Sequence, residues 1–251
     1  MTDGFLILSA AIDASAIDRY LADLQLADAE KLILVDHQSG IIAYDAARLR
    51  IPLNRLTDTH WAVPEGQNLI GTTSLIAALQ SALNISQLLC FETFHLEVGL
   101  AMRLHRESWY VGLRDRPQDM LTAWIALEDM QPGSGEPIYV PGSHRFSGYD
   151  QPEIGTPTRH EQVVTRFGIE CERAGVRKFL ARKGDVLITR ADLAVGGAPI
   201  TNPDATCRML IAHFCPLQDD PGYFVHFAPE YRVKRQLTRE LYSSTVYIGK
   251  F

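Results

Sequence analysis

The middle of this chain limits its fold more than any other part. From about residue 87 to 216 it breaks into short runs rich in β-branched and aromatic residues, separated by turn chemistry such as Gln131-Pro132-Gly133-Ser134-Gly135. Leu88 to Gly99, Leu121 to Leu127, Pro137 to Val140, Gln162 to Phe167, Asp185 to Thr189 and Arg208 to Phe214 all read as strands. Many short strands at this spacing bury a common core only as a sandwich or barrel. The residues ahead of them differ. Asp13 followed by Ala14, Ile17, Leu21 and Leu24 has the spacing of an amphipathic helix with an Asp cap. A second helix is expected from Ser74, with Leu75, Leu79 and Leu83 on one face and Asn84 as its stop. The stretch from Asp36 to Gln67 reads as loops and short elements. Without a linker or internal repeat, the 251 residues make one domain. Its parts are a helical N-terminal part (1–86), a β core (87–216) and a C-terminal extension (217–251).

Charge and composition narrow the function classes. The formal net charge is −6. The one basic cluster, Arg232, Lys234, Arg235 and Arg239, reads as a solvated helix face, so nucleic acid is not the expected partner. No run approaches the roughly 18 consecutive apolar residues of a membrane helix, and the opening Met1-Thr2-Asp3-Gly4 lacks a basic flank. A cytoplasmic location is the expectation. Cys90, Cys171, Cys207 and Cys215 form no CxxC pair and read as reduced, structural thiols. Eight histidines leave a metal site open.

Several segments, taken in order, carry a resemblance. Leu104-His105-Arg106-Glu107-Ser108 is followed by Leu121-Thr122-Ala123-Trp124-Ile125-Ala126-Leu127-Glu128-Asp129 and by Ile138-Tyr139-Val140-Pro141-Gly142-Ser143-His144-Arg145. Lys183-Gly184-Asp185-Val186-Leu187-Ile188 and Arg208-Met209-Leu210-Ile211 come after. Over roughly residues 87–216 the set resembles the phytanoyl-CoA dioxygenase-like family of iron(II)/2-oxoglutarate oxygenases. The resemblance implies a mainly β fold with flanking helices, a double-stranded β-helix of the jelly-roll or cupin-like type. It also implies iron on a His-x-Asp pair plus a distal His, with three positions left for 2-oxoglutarate and oxygen.

Carried over residue by residue, the metal positions are His105 and Glu107, and the distal one falls on Val195. Glutamate in place of aspartate moves the carboxylate out by about 1.5 Å, and an isopropyl group donates nothing to iron. No histidine lies between His160 and His213. By strand parity Asp192 points opposite to Val195, and His213 points away from Arg208. His226 is the one histidine that could swing in from the C-terminal segment. The cosubstrate positions are better kept: Arg208 matches the family arginine that holds the distal carboxylate of 2-oxoglutarate, and Trp124 matches a tryptophan lining that pocket.

The remaining candidates read as structural. Ser143 and His144 are neighbours that point apart, and Gly133-Ser134-Gly135 is a hairpin loop. His37, His60, His95 and His160 have no partner at ligand spacing, although His95 and Glu97 share a strand face near the pocket. Three functions follow. The first is a redox-neutral enzyme on a small, carboxylate-bearing organic substrate, in which His105 and Glu107 do acid/base work without metal and burial raises the Glu107 pKa unless His105 or Arg106 pairs with it. The second is a working oxygenase with iron(II) on His105 and Glu107 and 2-oxoglutarate on Arg208 and Trp124. The third is a non-catalytic binding protein. Neither the substrate nor an oligomeric state is encoded in these motifs.

Overall fold

The computed structural model describes residues 1–110, 113, 116–149, 157–219, 221 and 233–245. Two sheets face each other. The larger carries, in order, β1 (Phe5–Leu8), β10 (Val186–Arg190), β7 (Leu121–Ala126), β12 (Met209–Pro216), β5 (Leu88–Leu96), β4 (Arg55–Thr57), β2 (Ile33–Asp36) and β3 (Gly40–Ile42). The smaller runs β6 (His105–Arg106), β11 (Ala194–Gly197), β8 (Pro137–Tyr139), β9 (Arg177–Lys178). The pairings along these two paths are antiparallel. This is the double-stranded β-helix.

Alternation along the central strands sorts side chains to two cores. Leu121, Ala123 and Ile125 of β7 and Leu210, Ala212 and Phe214 of β12 pack outward against α1 (Ala14–Leu26), α3 (Pro64–Ile70) and α4 (Thr73–Leu83). Trp124, Ala126, Met209 and Ile211 face inward, where they meet Leu96, Leu187 and Val195 between the sheets. Between His213 and Phe214 the register of β12 against β5 slips by one residue, a bulge that locally re-aims side chains.

Both expected helices form. Asp13 accepts the Ser15 amide at 2.7 Å at the start of α1, and Asn84 ends α4 in the left-handed conformation. Three expectations need correction. Gln162 to Phe167 is not a strand but lies inside α5 (Pro157–Ala174), where Val164, Phe167 and Cys171 fall on one buried face. The N-terminal part is not only helical, because β1 to β4 extend the larger sheet on both sides. Lys234 and Arg235 lie on a strand, β13 (Lys234–Gln236), rather than a helix; it pairs with β14 (Leu241–Ser244), which runs parallel to β5. Arg232 lies outside the described residues. All four cysteines are free and buried. Among the described residues no helix is long and apolar enough to cross a membrane.

Candidate active site

His105 stands on β6 directly opposite Val195 of β11, so the two side chains emerge side by side toward the interior. β6 lasts only two residues, and Glu107 begins a 3-10 turn, Glu107–Trp109. The turn still brings the carboxylate back: Glu107 Oε1 lies 3.7 Å from His105 Nε2. The other ring nitrogen is fixed, because a backbone carbonyl only accepts. His105 Nδ1–H therefore donates to Arg103 O at 2.8 Å, leaving Nε2 toward Glu107. Arg106 is no partner for Glu107. It points the opposite way and donates to the carbonyls of Ser143, Phe146 and Tyr149.

Sequence reasoning turned His213 away from the site, and its premise fails rather than its parity. His213 does point away from Arg208, but the interior lies on His213's side. Its Nε2 lies 3.6 Å from Glu107 Oε2 and its Nδ1 3.5 Å from Glu92 Oε2. The ring is fully buried, stacked on Phe91 at 5.8 Å and met by Phe94 edge to face at 5.4 Å. Neither nitrogen makes a hydrogen bond; the two carboxylates act on it as charges. Parity with Met209 and Ile211 on β12 was the available signal.

The row Glu92, His213, Glu107, His105 thus alternates anion and imidazole through the interior. Burial alone would push Glu107 up, but His105 and His213 outweigh it and hold the carboxyl well below its usual range. This reverses the expected rise. Burial opposes charge on His213 as well, yet Glu107 and Glu92 outweigh it and raise the imidazole to about 9. At neutral pH the site holds a carboxylate against an imidazolium.

Comparison with known proteins fits this architecture. The family model described as Phytanoyl-CoA dioxygenase (PhyH) matches residues 1–208. The chain belongs to the phytanoyl-CoA dioxygenase family. Among solved structures it is similar to SnoK, a non-heme α-ketoglutarate-dependent carbocyclase from nogalamycin biosynthesis, at 17% identity and TM-score 0.66 over 94% of this chain and 91% of that one. The epimerase SnoN of the same biosynthesis matches at 16% identity and TM-score 0.64 over 96% and 93%. HygX from Streptomyces hygroscopicus, with nickel and 2-oxoglutarate bound, matches at 18% identity and TM-score 0.60 over 86% and 84%.

Measured against what a phytanoyl-CoA dioxygenase needs, the positions divide. Val195, where the resemblance puts the distal ligand, lies beside His105. Glu107 offers one oxygen to each imidazole, and among the described residues no three His, Cys, Asp or Glu groups converge as a metal chelate. Arg208 does not face the interior. Its neighbours Cys207 and Met209 do, so its own side chain goes to the other face. There its Nε donates to Glu97 at 2.9 Å, and Nη1 lies 3.6 Å from Glu128.

Trp124 is inside, donating from Nε1 to Thr189 Oγ1 at 3.2 Å. It closes, with Leu96, Leu100, Cys207 and Met209, an apolar void of about 10 Å³. That volume holds one water at most and no dicarboxylate. A groove of about 800 Å³ runs along edge strand β3 between residues 28–33 and 41–44, apart from these groups.

Three other histidines are satisfied structurally. His95 shares a face with Glu97 as expected, at 3.1 Å, but it looks toward the helices, where Tyr20 lies 3.2 Å from its Nδ1. Burial would raise Glu97, and His95 and Arg208 outweigh that and lower it to about 2. His60 sits between Thr93 and Ser243 at 2.9 and 2.6 Å, and His37 bonds Asn54. Ser143 ties its turn to Val140 and Ala194, and Asp192 pairs with Arg190. His226 lies outside the described residues.

Proposed function

We propose that this phytanoyl-CoA dioxygenase family member is a redox-neutral enzyme acting on a small organic substrate, without iron or 2-oxoglutarate. One observation carries the reading: the Glu107 carboxylate is held between two imidazoles, one oxygen to each, where the fold would otherwise assemble a chelate. Support comes from the isopropyl of Val195 beside His105, the Arg208 guanidinium committed to Glu97 and Glu128, and the filled space beside Trp124. The residues present do not fit iron with 2-oxoglutarate.

Proton chemistry follows from the same contacts. Glu107 keeps His213 protonated, so His213 Nε2–H is the donor for a developing negative charge on substrate. His105 Nδ1 is committed to Arg103 O, so Nε2 is the nitrogen that exchanges a proton with substrate. An isomerisation, cyclisation or elimination needs this pairing of donor and acceptor.

The test is anaerobic dialysis against iron(II) and 2-oxoglutarate, followed by exposure to air. The expected result is neither stoichiometric iron nor succinate. A second reading rests on the same triad: with the carboxylate turned, His105, Glu107 and His213 are two imidazoles and one carboxylate. Stoichiometric iron that is lost in His213→Ala, together with succinate, would establish that oxygenase and end the metal-free reading.

A further inference from the structure

The interior contains a second set of polar atoms that the acid/base row does not use. Thr57 of β4 pairs with Phe94 of β5, and Thr122 of β7 pairs with His213 of β12, so all four side chains share the inward face. The hydroxyls of Thr57 and Thr122 are buried and lack any hydrogen-bond partner among the described residues, as does Nε of Arg55. Arg55, two residues before Thr57 on β4, lies on the same face, with its guanidinium carbon 4.6 Å over the Phe94 ring.

Its one polar contact is a long 3.5 Å bond from Nη1 to Leu53 O, and no carboxylate pairs with it among the described residues. Buried polar groups are normally satisfied, and a half-buried cation is normally paired. Three orphaned groups on one inward face, one of them a guanidinium, beside the His213 ring, are the lining of a site for a ligand that brings its own acceptors.

We propose that Arg55, with Thr57 beside it, is the anion anchor of this barrel, taking a carboxylate or comparable oxyanion on the substrate. The idea deepens the redox-neutral reading above by naming its substrate class. Arg55 takes the role that Arg208, turned to the outer face, does not fill. A planar guanidinium suits it, because it binds two oxygens at once. Phe94 adjoins both centres, with the Arg55 guanidinium carbon 4.6 Å and the His213 ring 5.4 Å from its centroid, so the two lie no farther apart than those distances end to end. The substrate is therefore a compact acid whose charged end sits at Arg55 and whose reacting carbon lies toward His213 and Glu107.

The experiment is titration calorimetry of the whole protein in EDTA with succinate, 2-oxoglutarate and inorganic phosphate. At least one should bind, at least tenfold more weakly to Arg55→Gln and with partial recovery in Arg55→Lys. The carboxylates against phosphate distinguish the two oxyanion classes. Thr57→Val separates a ligand role from a structural one: losing an unsatisfied buried hydroxyl should leave the unfolding midpoint unchanged or higher while weakening anion binding. Equal binding by wild type and Arg55→Gln, or no binding of any of the three, overturns the proposal. Arg55-dependent binding in EDTA upholds it whatever the succinate assay shows. Binding of 2-oxoglutarate that needs iron(II) and persists in Arg55→Gln defeats both this anchor and the metal-free reading.

Discussion

Asp58→Asn should make the protein progressively more stable than wild type as pH rises. Asp58 is fully buried; its Oδ1 accepts the Thr93 amide at 3.0 Å and its Oδ2 the Thr245 hydroxyl at 2.5 Å, which joins the end of β14 to the strands at the barrel edge. Burial, and then the charge of Glu92, raise its pKa to about 8, and the two hydrogen bonds and His213 only partly offset them. A carboxyl raised in the folded state keeps its proton while the unfolded chain, near 3.8, has lost its own. Wild-type stability from this group is therefore present below about pH 4 and is lost as pH rises through about 8.

One proton is worth about 1.4 kcal/mol per pH unit, so between pH 5 and 8 the loss is on the order of 4 kcal/mol. Asn copies the neutral acid: its oxygen accepts from Thr93, its amide donates to Thr245, and it tolerates the φ of 54° found here. Urea unfolding of both proteins at pH 5, 6, 7 and 8 should give free-energy curves that diverge steadily in favour of Asn. Parallel curves would refute the argument by showing that Asp58 is ionised in the folded protein.

Three other outcomes are expected. The His213 ring should titrate near pH 9 by NMR and move downward in Glu107→Gln; its raised pKa means that its stabilisation holds below about 6.5 and is lost as pH rises through about 9. A midpoint unaffected by Glu107→Gln would show that the carboxylate does not hold the proton. The double change Val195→His with Glu107→Asp should increase bound nickel(II) or iron(II) by roughly tenfold or more, since position 195 is opposite His105; no gain in dialysis would mean that 195 is not the distal position. Iodoacetamide at pH 8 should label none of the four buried thiols in the native protein and all of them in urea, because burial pushes Cys171 and Cys207 up to about 12 and Cys90 well above its ordinary value. Native-state labelling detected by mass spectrometry would contradict that burial.

Local chemistry wrote much of this protein legibly. The Asp13 cap, the Asn84 stop and the strands around Trp124 and Met209 depend on neighbours in the chain, so periodicity and capping expose them. Where the window was too short, local reading failed: Val163, Val164 and Thr165 look like a strand, but Val164, Phe167 and Cys171 recur at helical spacing over a longer span.

What the tertiary structure decided is which face each strand turns to the interior, and with what partner. Parity separates His213 from Arg208, but nothing local says which of them looks inward; that is fixed by Cys207 and Met209 entering the interior core and by the register against β5 and β7. The sign of the Glu107 shift depends likewise on an imidazole 106 residues away in sequence and 3.6 Å away in space. Alone, the sequence determined a double-stranded β-helix and the phytanoyl-CoA dioxygenase family. Only folding placed His213 on Glu107, sent Arg208 to the outer face and left Arg55 inside, because charges and burial act through space and not along the chain.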